Sequence, residues 1–163
     1  MKVKDIMTYE AKACDLNASL TEAAQTMWET DCGVLPVVKD GKEIVGLITD
    51  RDICMAMAMR DCNPAAVSAE KVISGAVYSV SPEDDIHKAL EIMQEHKVRR
   101  LPVVGPEGEL EGMLSLNDVV LNAEEAKNTG APQLTYAEVV NTYKAICAHP
   151  LPLQQAQAAA AGE

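Results

Sequence analysis

Leu35-Pro36-Val37-Val38, followed by Gly46-Leu47-Ile48-Thr49-Asp50-Arg51-Asp52-Ile53, has a second copy in this chain of 163 residues. That copy reads Leu101-Pro102-Val103-Val104 and Gly112-Met113-Leu114-Ser115-Leu116-Asn117-Asp118-Val119, displaced by 66 residues. The same displacement carries Met27 onto Met93, Ala23 onto Ala89, Leu20 onto Ile86 and Ile6 onto Val72 without an insertion. A register held over so many positions marks an internal repeat. Residues 1–62 and 67–122 are the two copies, and 123–163 form a tail outside them.

Each copy predicts the order strand, helix, strand, strand, helix. A short extended piece stands at Ala13-Cys14 and at Ala76 to Val80. In the first helix, Ser19 and Glu22 make a capping box, and Leu20, Ala23, Ala24 and Met27 recur at helical spacing. Ile86, Ala89, Leu90 and Met93 do the same in copy two, with Asp84 or Asp85 as the cap and Gly33 as the exit from helix one. Hairpins follow, turning at Lys39-Asp40-Gly41-Lys42 and at Gly105-Pro106-Glu107-Gly108. Thr49 and Ser115 are good N-cap residues for a second helix, with Asp52 and Asp118 in its first turn. The fold class is therefore α+β: two small mixed sheets, each with two helices. One such unit of about 60 residues is marginal alone, so the halves should pack together with approximate two-fold symmetry and matching clefts between them.

Composition narrows the function. Hydrophobic residues are 48%, enough for a core, yet aromatics are 3% and Phe is absent. Fourteen Lys and Arg stand against twenty-five Asp and Glu, a net charge of -11. That balance disfavours nucleic acid and anionic membrane as partners. No apolar run approaches a membrane span, and no secretory signal is expected at the N-terminus. The five cysteines, at 14, 32, 54, 62 and 147, lack a Cys-x-x-Cys pair and read as reduced thiols of a cytoplasmic protein. Cys147 with His149 is a weak zinc signal, because a second closely spaced pair is missing. His87, His96 and His149 share no metal spacing, and no Ser-His-Asp set or Gly-rich phosphate loop is present, so an enzyme is not expected.

The doubled Leu-Pro-Val-Val, the leading Val3-Lys4-Asp5-Ile6-Met7-Thr8 and the doubled Gly-x-x-Thr/Ser-x-x-Asp resemble the cystathionine-beta-synthase (CBS) domain family in its paired form, the Bateman module. The resemblance covers about residues 1–122, and the layout is similar to stand-alone bacterial two-CBS proteins. It implies a regulatory module, often a homodimer, that binds AMP, ADP or ATP in clefts between the repeats. S-adenosylmethionine and NAD are the less expected ligands.

In the family pattern the hydroxyl residue holds phosphate or ribose and the Asp accepts from ribose hydroxyls. Here those residues are Thr49 with Asp52 and Ser115 with Asp118. A hydroxyl at a helix start stands beside backbone N–H groups that suit a phosphate, and a carboxylate suits a vicinal diol. Plain helix capping accounts for the same pattern. Gly46 and Gly112 either allow close backbone approach or relieve crowding in the strand. The run His96-Lys97-Val98-Arg99-Arg100 breaks the repeat symmetry. Arg99 or Arg100 is expected to clamp phosphate in one cleft, the alternative being a solvated helix end; Arg51 is the weaker candidate. By resemblance the base sits near Cys14 and Val80, which also read as core.

In the tail, Thr135 and Glu138 make another capping box, and Val139, Val140, Tyr143 and Ile146 a stripe, giving a helix over 133–149 ended by Pro150. It either docks on the module or recognises an effector protein. Two other functions remain open. One is a ligand-free structural or protein-binding module. The other is a metal or redox sensor built on Cys14, Cys32 or Cys54.

Overall fold

The computed structural model of the chain describes residues 1–41, 43–60, 62–73, 76–125 and 134–148. The elements run β1 (Thr8–Tyr9), β2 (Cys14–Asp15), α1 (Leu20–Glu29), β3 (Val34–Lys39), β4 (Glu43–Thr49), α2 (Asp50–Arg60), α3 (Ile86–His96), β5 (Arg100–Val104), β6 (Leu110–Ser115), α4 (Leu116–Leu121) and α5 (Tyr136–Cys147). One sheet has the order β2-β3-β4 and the other β1-β6-β5.

Within each repeat the two sheets follow one plan. β3 and β4 pair antiparallel, as do β5 and β6, and each hairpin shifts register just before its turn, between Val37 and Val38 and between Val103 and Val104. Asp40 and Gly41 turn the first hairpin with φ of 51° and 71°, the left-handed pair a tight hairpin needs. β2 pairs parallel to β3 through Cys14 and Val37. The matched contact in repeat 2 is a single bridge, Val80 to Val103, in place of the expected strand over 76–80.

What closes the molecule is a reciprocal exchange. The segment that leads repeat 1 is buried in repeat 2: β1 pairs with β6, and Val3 and Met7 belong to the core of Leu101, Leu114 and Val119. The segment that leads repeat 2 is buried in repeat 1, where Ala69 joins Leu20, Leu35 and Ile48. The backbone bonds match as well, Lys4 N to Pro82 O and Glu70 N to Leu16 O, both 3.0 Å. Neither small core is complete without the other repeat, as a unit of this size requires.

This exchange decides the two glycines. A Cβ on Gly112 would lie 2.3 Å from the Thr8 carbonyl oxygen, and one on Gly46 would lie 2.9 Å from Ile73 Cδ1. Both glycines admit the leading segment of the other repeat.

The helix starts follow the sequence, with capping boxes at Ser19–Glu22, Ser115–Asp118 and Thr135–Glu138. Asp85 rather than Asp84 caps α3, accepting from His87 N at 2.9 Å. The expected exit at Gly33 is corrected. α1 ends at Glu29, and Asp31 takes the left-handed turn with φ of 49°, as Lys97 does after α3 with φ of 54°. Gly33 instead offers its carbonyl to Asp50 N.

α5 lies against α3 and α4 and buries Val139, Thr142 and Ile146. The expected stripe is thereby shifted: Val140 and Tyr143 face solvent, because the helix docks through positions three and four apart beginning at Val139. Gln94 Nε2 donates to Thr142 Oγ1 at 2.8 Å, Lys97 Nζ donates to the Ala148 carbonyl, and His87 Nε2 stands 3.1 Å from Glu138 Oε1. Burial tends to raise the Glu138 carboxyl. The Thr135 hydroxyl and amide and the neighbouring His87 outweigh it and hold the group below its ordinary range. The expected helix ends at 133 and 149, and Pro150, lie outside the described residues.

Candidate functional site

Between the repeats lies a cleft of about 520 Å³. Repeat 2 contributes Arg100 at the start of β5 and the Ser115–Asp118 turn at the start of α4. Repeat 1 contributes Thr30 to Val34, which link α1 to β3. The exchanged leading segment adds Thr8, Glu10 and Lys12. Two cations, Arg100 and Lys12, thus share one cleft with the carboxylates of Glu10, Asp31 and Asp118.

The Ser115 turn is tightly bonded within itself. Ser115 N and Oγ both donate to Asp118 Oδ2, at 2.7 and 2.6 Å, and Ser115 Oγ accepts from Asp118 N at 3.3 Å. Leu116 N donates to the Arg99 carbonyl at 2.9 Å. Of the backbone N–H groups expected at this helix start, Leu116 N and Asp118 N are bonded within the protein, and Asn117 lines the cleft.

The Thr49 turn repeats this geometry. Thr49 N and Oγ1 donate to Asp52 Oδ2 at 2.9 and 2.6 Å, and Asp52 N donates to Thr49 Oγ1 at 3.2 Å. Its surroundings differ. The residues matched to Lys12 and Thr30 are Tyr78 and His96, whose rings stack with centroids 3.6 Å apart and planes 6° from parallel. The residue matched to Arg100 is Val34.

The remaining candidates are scattered. Arg99 is exposed and lines a smaller hollow of about 140 Å³ with Arg100, Ser115 and Tyr143 of α5. Arg51 is exposed in the first turn of α2. Cys14 and Val80 are buried, one in each core, and neither lines the cleft. Burial pushes the Cys14 thiol up to about 11, so it stays protonated near neutral pH and is a poor nucleophile or metal ligand. Cys32 lines the cleft beside Gly33, its thiol held against the Val34 carbonyl at 3.3 Å. Among the described residues no group of three or more His, Cys, Asp or Glu is arranged to hold a metal ion, and no helix is long and apolar enough to cross a membrane.

Lys12 was not singled out in the sequence, and of the Thr30–Val34 wall only Cys32 and Gly33 were, for other roles. The signal was the repeat register: a cleft between two symmetric halves takes its cap turn from one half and the helix-to-strand link from the other.

Two exchanged α+β repeats around a shared cleft are the architecture of a tandem CBS pair. The CBS domain family profile matches residues 3–59 and 69–125, and the chain belongs to that family. It is 32% identical over 144 residues to hypoxic response protein 1 of Mycobacterium tuberculosis, covering 88% of this chain and 92% of that protein. A solved structure of Hypoxic Response Protein I, with two coordinated zinc ions, superposes with a TM-score of 0.69 at 31% identity over 76% of this chain and all of that one. The CBS domain protein PAE2072 from Pyrobaculum aerophilum, complexed with AMP, superposes with a TM-score of 0.66 at 25% identity over 73% of this chain and 90% of its own.

Proposed function

We propose that the chain is a regulatory CBS pair that binds an adenine nucleotide of the AMP, ADP or ATP type in the Ser115–Asp118 cleft. The observation that carries this is the convergence of Arg100, Lys12 and Asp118 on one cleft between the repeats. Arg100 offers a planar fork and Lys12 a point charge for phosphate oxygens. All the bonds from the Ser115 turn fall on Asp118 Oδ2, so Oδ1 is the oxygen to accept from a ribose diol. The AMP bound by the Pyrobaculum relative supports the ligand class.

Both repeats wall the cleft, and each core contains a segment of the other repeat. A nucleotide gripping both walls favours one packing of the repeats over another, which is how a binding event becomes a signal to an effector protein.

Isothermal titration of nucleotide-free protein with AMP, ATP, NAD and S-adenosylmethionine tests the reading. One adenine nucleotide should bind in the micromolar range. Arg100→Ala should weaken it about tenfold to a hundredfold, the worth of a charge-assisted hydrogen bond. Arg51→Ala should leave it unchanged. No heat from any of the four on folded protein would end the nucleotide reading.

The zinc ions in the Hypoxic Response Protein I structure favour a second reading, a metal-binding module. Cys147, exposed on the last turn of α5, is the residue to substitute. Stoichiometric zinc lost in Cys147→Ser would favour it.

A further inference from the structure

One place in this acidic chain gathers positive charge with no carboxylate in its walls. A hollow of about 140 Å³ is lined by Arg99, Arg100, Ser115, Leu116, Asn117 and Tyr143. The larger cleft, by contrast, sets Arg100 and Lys12 against Glu10, Asp31 and Asp118. Among the described residues neither Arg99 nor Arg100 forms an ion pair. Two unpaired arginines lining one hollow, in a chain of net charge -11, call for an anion from outside.

The fold does not require them. Arg99 serves it through its carbonyl, which accepts from Leu116 N at 2.9 Å, a bond that any residue would supply. Repeat 1 keeps the same bond without an arginine. The residues matched to Arg99, Arg100 and Leu116 are Gly33, Val34 and Asp50, and Asp50 N donates to the Gly33 carbonyl at 3.4 Å. The Asp50 carboxylate lies close to Gly33, where a Cβ would stand 3.1 Å from Oδ2. The equivalent place in repeat 1 is therefore acidic, and the charge is reversed in repeat 2.

The position of the hollow supplies the second argument. Arg100, Ser115 and Asn117 line both it and the cleft, so the two spaces adjoin. Tyr143 adds a wall from α5, which lies outside both repeats. This tyrosine is half-exposed, and its hydroxyl has no partner among the described residues.

We propose that the hollow is a subsite for phosphates beyond the first, so that the cleft selects adenosine di- or triphosphate over monophosphate and α5 senses the difference. The inference rests on the adenine-nucleotide reading of the cleft. With the ribose at Asp118 and the first phosphate at Arg100, a longer chain extends toward Arg99 and Tyr143. Arg99 supplies a planar fork and Tyr143 a single donor to the outer phosphoryl oxygens. A monophosphate ends at Arg100 and leaves α5 untouched. A triphosphate ties α5 to β5 and α4, which converts the phosphorylation state of the ligand into a state of the tail.

Isothermal titration of the full-length, nucleotide-free chain with AMP, ADP and ATP in magnesium-free buffer tests this. ATP should bind at least about tenfold more tightly than AMP, the worth of one charge-assisted hydrogen bond. Arg99→Ala should abolish the preference and leave AMP affinity as it was, which also shows that the variant folds. Tyr143→Phe keeps the ring and removes only the hydroxyl. It should lower ATP affinity about three- to tenfold with AMP unchanged. Arg51→Ala removes one positive charge elsewhere and should leave the ratio alone. Hydrogen exchange over Val139 to Ile146 should slow with ATP and not with AMP. The proposal is overturned, with the nucleotide reading intact, if AMP binds as tightly as ATP or if the preference survives in both Arg99→Ala and Tyr143→Phe. Exchange in α5 that is alike with either nucleotide also overturns it. Binding of no nucleotide at all overturns both readings.

Discussion

Thr49–Asp52 and Ser115–Asp118 make the same three hydrogen bonds to within 0.2 Å, yet they stand in different company. Around Ser115 are Lys12, Thr30 and Arg100, which leave a cleft. The matched residues in the other half are Tyr78, His96 and Val34, and the first two stack on each other. The shared motif therefore specifies how a helix begins, and the residues facing it decide what it can bind. A Thr/Ser-x-x-Asp pair read alone reports capping. Read with its facing wall, it separates a half faced by Lys12 and Arg100 from one that places a stacked aromatic pair at the matched positions.

The largest stability difference between the halves should come from the matched glycines. In Gly112→Ala the new methyl would meet the Thr8 carbonyl oxygen at 2.3 Å, and backbone paired in a sheet cannot step aside without breaking β1 from β6. In Gly46→Ala it would meet the Ile73 side chain, which can turn away in part. Urea denaturation should show about 2–3 kcal/mol lost for Gly112→Ala and about 1 kcal/mol for Gly46→Ala, the range of small overpacking changes. Equal losses would mean that the two exchanged segments are held alike.

The capping boxes were legible because they are local. Ser19 with Glu22, Ser115 with Asp118 and Thr135 with Glu138 each close within three residues, so sequence spacing determines the contact. The hairpins were legible through their turn residues and apolar runs. The exchange of leading segments was not, because nothing in Val3 or Ala69 distinguishes one apolar core from another. Lys12 was hidden for the same reason: its site lies beside a strand of the other repeat. The tail shows a subtler miss. Val139, Val140, Tyr143 and Ile146 all fit a helical stripe, but Thr142, a polar residue, takes the buried position by accepting from Gln94. Periodicity alone could not choose between two adjacent faces of α5.

The next difference is smaller and separates capping from binding. Asp52→Ala and Asp118→Ala each remove a first-turn carboxylate bonded to a cap residue, so each should cost about 1 kcal/mol of stability. Only Asp118→Ala should also weaken nucleotide binding. Paired denaturation and titration experiments on both variants separate the two effects. Loss of binding in both would show that the Tyr78–His96 side takes ligand as well.

The smallest difference should be one of pH. The segment leading repeat 1 is tied to repeat 2 by Lys2 and Lys4, each 2.5 Å from Glu83. At the matched positions of the other junction stand Ser68, Glu70 and Asn17. Hydrogen bonds from Lys2 and Lys4 hold the Glu83 carboxyl down at about 2. A carboxyl lowered in the folded state favours folding above its ordinary pKa, and that contribution fades as pH falls toward the lowered value. Glu83 is exposed and screened by salt, so the effect is modest. Hydrogen exchange at Val3, Lys4 and Ile86 should therefore accelerate between about pH 4.5 and 2, while exchange at Ala69 and Glu70 should follow the rest of the chain. Glu83→Gln should reduce the contrast between the two junctions, leaving the Met1 ammonium 3.8 Å from Asp85 as the remaining ionic tie. If both loosened together in acid, the ionic tie would be irrelevant and the shared apolar cores alone would hold the exchange.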